Sequence, residues 1–224
     1  MKIQYSVSLW NFTHYAHAPN LERVIAGVRE QGYGIELWGR SFDENDLYDK
    51  AGRKRLKPIV KGMVVSLHTH GARTMDRHKY QIDAAEDFGA RVIVLHTPDV
   101  TAPGGELDID LAGRAVEYAR KAGVKLVLEN GQLDFLKRAA EEVKGLGLCL
   151  DTGHTYNQGQ TMADAVAAVK THLAHVHVQD ICSPAEATLP QMAKDHYLPG
   201  TGGIPMKDWK LLGRTMRVIC LGNL

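Results

Sequence analysis

Eight short runs of β-branched and apolar residues recur along the chain: "KIQYSVSL" (2–9), "YGIELW" (33–38), "GMVVSLH" (62–68), "ARVIVLH" (90–96), "VKLVLEN" (124–130), "LGLCLD" (146–151), "LAHVHVQD" (173–180) and "RVICLGN" (217–223). Several are apolar almost without a break, as strands buried on both faces of a parallel sheet are. Stretches of helical period lie between them. Asn20 can cap "LERVIAGVREQG", with Leu21, Val24, Ile25 and Val28 on one face and Gly32 as the stop. Asp108 or Asp110 can start "LAGRAVEYARKAG", Asp134 can cap "FLKRAAEEVKG", and Thr161 can cap "MADAVAAVKTH". Residues 76–89 have the same form, and residues 43–61 read as a helix broken near Pro58.

Strand–helix alternation with right-handed crossovers predicts a parallel sheet wrapped in helices. Eight units suit a single α/β domain over residues 1–224, a (β/α)₈ TIM barrel. An open doubly wound sheet normally announces itself by a glycine-rich turn after the first strand, and "SLWNFTHYAHAP" has none.

The last residues of these runs carry the chemistry. Strand two ends near Glu36, strand three on His68, strand four on His96, strand five near Glu129, strand six on Asp151 and strand seven near His177, with His154 and His196 shortly after. A barrel brings all such ends to one face. A single strand-end histidine is commonly a hydrogen-bonded group, and an aspartate before a turn is commonly a cap, so Asp151 has that reading too. Convergence over six elements changes the balance. A cluster of carboxylates and imidazoles is costly to desolvate unless a divalent cation neutralises it. Imidazole and carboxylate donors without thiolate suit Zn²⁺ or Mn²⁺, with Mg²⁺ a further option. His70 lies further out than His68, and His175 one layer deeper than His177. His14 and His17 belong to a loop. Trp10, Phe12 and Tyr15 form an apolar wall over a substrate or simply pack, and "PGTGG" (199–203) is a loose phosphate cradle or a tight loop.

Composition narrows the setting. A net charge of +1 supplies no global field toward nucleic acid or anionic lipid. The basic run Arg53–Lys57 reads as a solvated helix face. Cys149, Cys182 and Cys220 are odd in number and widely spaced, which fits a reducing, cytoplasmic compartment. No apolar run approaches the ~18 residues of a membrane span, and the N-terminus lacks a signal-peptide core.

"VLENG" around Glu129, "CLDTGH" (149–154), "HVHVQD" (175–180) and "DHYLPGTGGI" (195–204) resemble the xylose-isomerase-like TIM barrel superfamily of sugar isomerases and epimerases, inosose-type dehydratases and apurinic-site endonucleases. The resemblance spans essentially the whole chain. In the isomerase branch it implies a metal held by carboxylates ending strands five and eight, an acid on strand six and a histidine on strand seven. Glu129, Asp151 and His177 match three of these. The endonuclease branch adds zinc ligands matched by His68, His96, His154 and His196, but has an aspartate where Lys194 stands, Asp195 being displaced by one. Gly222 occupies the place of the strand-eight glutamate. The sequence stops two residues later, so the reading is a barrel lacking its last outer helix, short of one ligand and one acid/base group.

The expected activity is a metal-dependent sugar or polyol isomerase or epimerase working through an enediolate. Glu129 is the expected base, His154 its catalytic companion, and Glu36, Trp10 and His196 contact substrate, with Glu36 also able to orient a ligand. A zinc phosphodiesterase and a catalytically impaired barrel are the alternatives. The expected partner is a small sugar-like molecule, with self-association open and neither nucleic acid nor membrane involved.

Overall fold

The computed structural model describes residues 4–13, 20–39, 46–182, 196–205, 207–208, 211 and 218–221. Each expected run contains a strand: β1 Gln4–Ser8, β2 Gly34–Trp38, β3 Val65–His68, β4 Val92–His96, β5 Lys125–Glu129, β6 Gly147–Asp151, β7 Leu173–Val178 and β8 Val218–Leu221. They pair in parallel, in sequence order, into a closed barrel. β8 pairs with β7 at His177↔Cys220 and with β1 at Val7↔Leu221. No helix follows β8 among the described residues.

The helices are α1 Trp10–Thr13, α2 Leu21–Glu30, α3 Lys50–Val60, α4 Met75–Phe88, α5 Ile109–Lys121, α6 Leu133–Glu142, α7 Thr152–Asn157 and α8 Met162–Val169. Asn20 caps α2 by accepting from the Arg23 N–H, and its buried face is the expected Leu21, Val24, Ile25 and Val28. At roughly 1.5–3 kcal/mol per fully buried aliphatic side chain, that face alone holds α2 to the barrel. Asp108, rather than Asp110, caps α5, and Thr161 caps α8. α4 ends at Gly89, whose φ of 70° is the left-handed conformation that closes a helix.

Two boundaries differ from expectation. α6 starts at Leu133, so Asp134 sits in its first turn, where its charge still favours the helix N-terminus. α3 runs on past Pro58 to Val60. It starts only at Lys50, after Asp49 accepts from the Gly52 N–H, and Pro58 falls in its last turn, so that only the bond its own N–H would make is lost and the turns before it stay intact. The basic run lies on the outer side of α3, with Lys57 and Arg53 paired to Asp87.

The main core lies between the outer strand surfaces and the helices. Inside the barrel, Val94, Val127 and Cys149 form a smaller apolar plug. Polar side chains occupy the layer above it, at the carboxyl ends of the strands. No helix among the described residues is long and apolar enough to cross a membrane.

Candidate active site and metal centre

Strand register sets this polar layer. Ser8 pairs with Glu36, Trp38 with His68, His96 with Glu129 and Asp151 with His177, so neighbouring strands bring their terminal polar residues to similar heights. Glu129, 1% exposed, is the hub. Its Oε1 meets His68 Nε2 at 2.9 Å and His96 Nε2 at 3.1 Å. Its Oε2 lies 2.6 Å from His177 Nδ1 and accepts from the Cys149 thiol at 3.4 Å. His177 uses its other nitrogen on Glu36: Nε2 to Oε2 is 3.0 Å. One imidazole thus spans two buried carboxylates.

Burial alone would raise both glutamates, but the histidines overcome it. His177 and the bonds from His68 and His96 hold Glu129 well below the usual carboxylate range. His177 and His175 do the same for Glu36. Burial works against a charge on His177, yet Cys149, Glu129 and Glu36 push it well above an ordinary imidazole. His96 is also raised, through Glu129, against its own burial. Asp151 moves the other way: burial raises it despite His154 nearby.

Glu36, His68, His96, Glu129, Asp151, His154, His177, His196 and Trp10 all line one pocket of about 210 Å³. Their engagements differ. Asp151 caps α7 by accepting from the His154 N–H at 2.8 Å, so the plain structural reading of this residue holds as well. Both its oxygens accept from Gln179 Nε2 at 2.9 Å, and His177 Nδ1 is 3.9 Å away. Glu36 faces the pocket floor with its oxygens taken by Ser8, Ser66 and His177, an arrangement that orients His177. His196 has a positive φ of 63°, and its ring lies 3.8 Å from that of Trp10. Trp38 stacks on His68 at 3.7 Å. His175 is buried below, its Nε2 3.6 Å from Glu36. Gly222, Lys194, Asp195, His14, Tyr15 and His17 lie outside the described residues.

Among the described residues, three sets of side chains have donor atoms within 4.8 Å of one another: His68–His96–Glu129, Glu36–His175–His177 and Glu129–Cys149–His177. The first is the most open to the pocket, since His96 is only half-buried. Two imidazole nitrogens aimed at one carboxylate oxygen form a donor set suited to a divalent cation of the Zn²⁺ or Mn²⁺ kind.

The glycine loop at 199–203 is not a phosphate cradle. The N–H groups of Gly200 and Gly202 donate to Asp180 Oδ2, and those of Ile181 and Ile204 to Oδ1, at 2.8–3.0 Å. A Cβ on Gly202 would lie 2.0 Å from the Ile181 carbonyl, which is why glycine is needed there. The loop wraps an internal carboxylate.

Sequence reasoning missed Gln179, Asp99, Asn11 and Asn130. Gln179 links the Asp151 carboxylate to the His196 N–H, which donates to its Oε1 at 2.6 Å. Asp99, 3% exposed, accepts from Thr69 Oγ1, the Ala72 N–H and the His96 N–H. Gln179 stood in the quoted "HVHVQD", and its place just past a strand end was the available signal. Asn130 likewise stood in the quoted "VLENG", directly past a strand end, whereas nothing local marked Asp99 or Asn11.

The family described as xylose isomerase-like TIM barrel matches residues 28–217. No curated protein matches the chain by sequence. Among solved structures, the IOLI protein with a bound zinc atom superposes with a TM-score of 0.76 at 15% identity, over 99% of this chain and 89% of that one. A D-tagatose 3-epimerase-like protein gives 0.69 at 16% identity, over 99% and 92%. The 3-keto-D-glucoside 4-epimerase of E. coli in its apo form gives 0.68 at 17% identity, over 100% and 93%. At these identities the likeness is one of fold.

Proposed function

The chain belongs to the xylose isomerase-like TIM barrel family, and from that premise we propose that it is a metal-dependent isomerase or epimerase of a sugar or polyol. The observation that carries this is Glu129, a buried carboxylate at a strand end on which three imidazoles converge. Its surroundings pass a simple test of fit for a cation. Three buried carboxylates face five imidazoles in one pocket, with no lysine or arginine among its described lining residues. Glu129, Asp151 and His177 would hold the ion, with His68 and His96 at its edge or holding a second. A bound divalent cation supplies Lewis-acid stabilisation of negative charge developing on substrate oxygens.

The remaining work falls to the side chains. Glu129, held ionised by its neighbours, takes the proton from the carbon beside the substrate carbonyl. Return of that proton from Glu129 to the neighbouring carbon gives isomerisation; epimerisation needs a second donor on the opposite face of the same carbon, the part that falls to His154. His154 and His196 hold substrate hydroxyls, and the Trp10–His196 pair closes the pocket against water. Glu36 keeps His177 in orientation.

The histidines His68, His96, His154 and His196, all lining the same pocket, favour a zinc phosphodiesterase as the second reading. One experiment separates the two. Protein purified without chelator is analysed for metal, then incubated in D₂O with D-tagatose, D-psicose and D-fructose. About one ion per chain, deuterium at carbon in the recovered sugar, and loss of that exchange in Glu129→Gln are expected. Two or three zincs with hydrolysis of a phosphodiester and no exchange would replace this reading with the second.

A further inference from the structure

The geometry points to two asparagines, Asn11 and Asn130, as the groups that select the ligand, and to an uncharged polyhydroxyl compound as the class they select. This deepens the sugar-directed reading above and rests on it. Asn11 belongs to α1, just past β1, and Asn130 directly follows β5. In a closed ring of eight strands taken in order, β1 and β5 lie across the barrel from each other. Both asparagines line the pocket.

Asn11 is 5% exposed, yet neither its amide nitrogen nor its amide oxygen has a hydrogen-bond partner. Asn130 donates from Nδ2 to Glu129 Oε1 at 3.3 Å, which fixes the amide and leaves Oδ1 buried without a donor. A buried amide atom left unpaired costs about 1–3 kcal/mol, so such atoms in a pocket wall call for a partner that comes from outside. Asn130 carries a second mark. It and His196 are the two non-glycine residues with positive φ among the described residues, at 56° and 63°, and both face this pocket. Backbone held in that region at a site is strain kept for a purpose.

The missing partner must both donate and accept. Asn11 offers two donors and an acceptor, and Asn130 offers an acceptor. A hydroxyl satisfies either. A phosphate or carboxylate satisfies only the donors and would set its charge against an unpaired carbonyl oxygen. The glycine-rich backbone at 199–203 is already committed to Asp180. A neutral chain of hydroxyls crossing the barrel between the two amides fits what the walls present.

The test uses full-length protein reconstituted with Mn²⁺, and Asn11→Leu, a substitution of similar size that deletes the amide. Calorimetric titration with D-psicose, D-tagatose, D-fructose and D-fructose 6-phosphate reads the ligand, and thermal unfolding without sugar reads the fold. We expect a ketohexose to bind the parent protein, binding to weaken about tenfold or more in Asn11→Leu, and the 6-phosphate to bind more weakly than the free sugar. Unfolding should be unchanged or raised in the variant, since an unpaired buried amide has been removed. Equal sugar affinity in the two proteins, tighter binding of the phosphate ester, or a marked loss of stability in Asn11→Leu would each overturn the assignment. If no ketohexose binds the parent protein, the sugar-directed reading itself falls, and this inference with it.

Discussion

Gln179 shows how much of the site is held by a group that does no chemistry. Its amide nitrogen serves both oxygens of Asp151, and its carbonyl receives the His196 N–H, joining a strand-six carboxylate to a loop residue on the pocket wall. Gln179→Leu keeps the volume and breaks both links. Asp151 would retain only its bond from the His154 N–H while staying buried, so we expect a loss of about 2–3 kcal/mol. Hydrogen exchange at the His196 amide should rise sharply, while the Tyr197 amide, bonded to the Asp180 carbonyl, should keep its protection. Unaltered protection at His196 would remove Gln179 from this role. The sequence displayed Glu129, Asp151 and His177 because carboxylates and imidazoles ending apolar strands stand out against their neighbours. Gln179, Asn11 and Asn130 are neutral amides of ordinary appearance, and what distinguishes them is burial and the presence or absence of partners far away in the chain.

At the scale of elements, the loops after β3 and β4 are locked together by Asp99. It accepts from Thr69 Oγ1 at 2.7 Å, the Ala72 N–H at 2.7 Å and the His96 N–H at 3.0 Å. His68 and His96 stand at the ends of the two strands so joined. Asp99→Ala would leave two backbone donors buried without a partner, for a loss of about 3 kcal/mol. In a domain of this size that corresponds to a fall in Tm of roughly 6–12 °C. Asparagine is no substitute, because either orientation of its amide turns the NH₂ toward a backbone N–H. A Tm within about 2 °C of the parent in Asp99→Ala would show that the loops hold without this carboxylate. Helix positions were readable because caps and apolar faces are local, as at Asn20, Asp108 and Thr161. α1 and α7 were not, since four and six residues are too few to display a helical period.

The whole barrel was legible because its logic repeats: eight apolar runs, each followed by a polar terminus, can close only with those termini on one face. That closure gathers imidazoles of opposed character, and so fixes how stability responds to acid. His78, 1% exposed, lies on α4 with Nε2 donating to the Asp99 carbonyl of the loop after β4 at 3.0 Å. Burial lowers its pKa below 6.5, against the pull of that carbonyl and of Asp99. The folded protein keeps His78 neutral while the unfolded chain protonates it, so stability falls as pH drops through the unfolded value, down to the depressed folded one. His96 and His177 have raised folded values, and the stability they contribute is full at low pH and lost as pH climbs through those values. A melting curve of the parent protein alone mixes the two effects. The difference between parent and His78→Gln isolates the first, because glutamine can still donate to the carbonyl but takes up no proton. The parent's advantage over the variant should shrink as pH is lowered from about 7 to about 5, the span around an ordinary imidazole pKa. An advantage that stays constant or grows over that span would mean that His78 is at least as readily protonated in the fold as out of it.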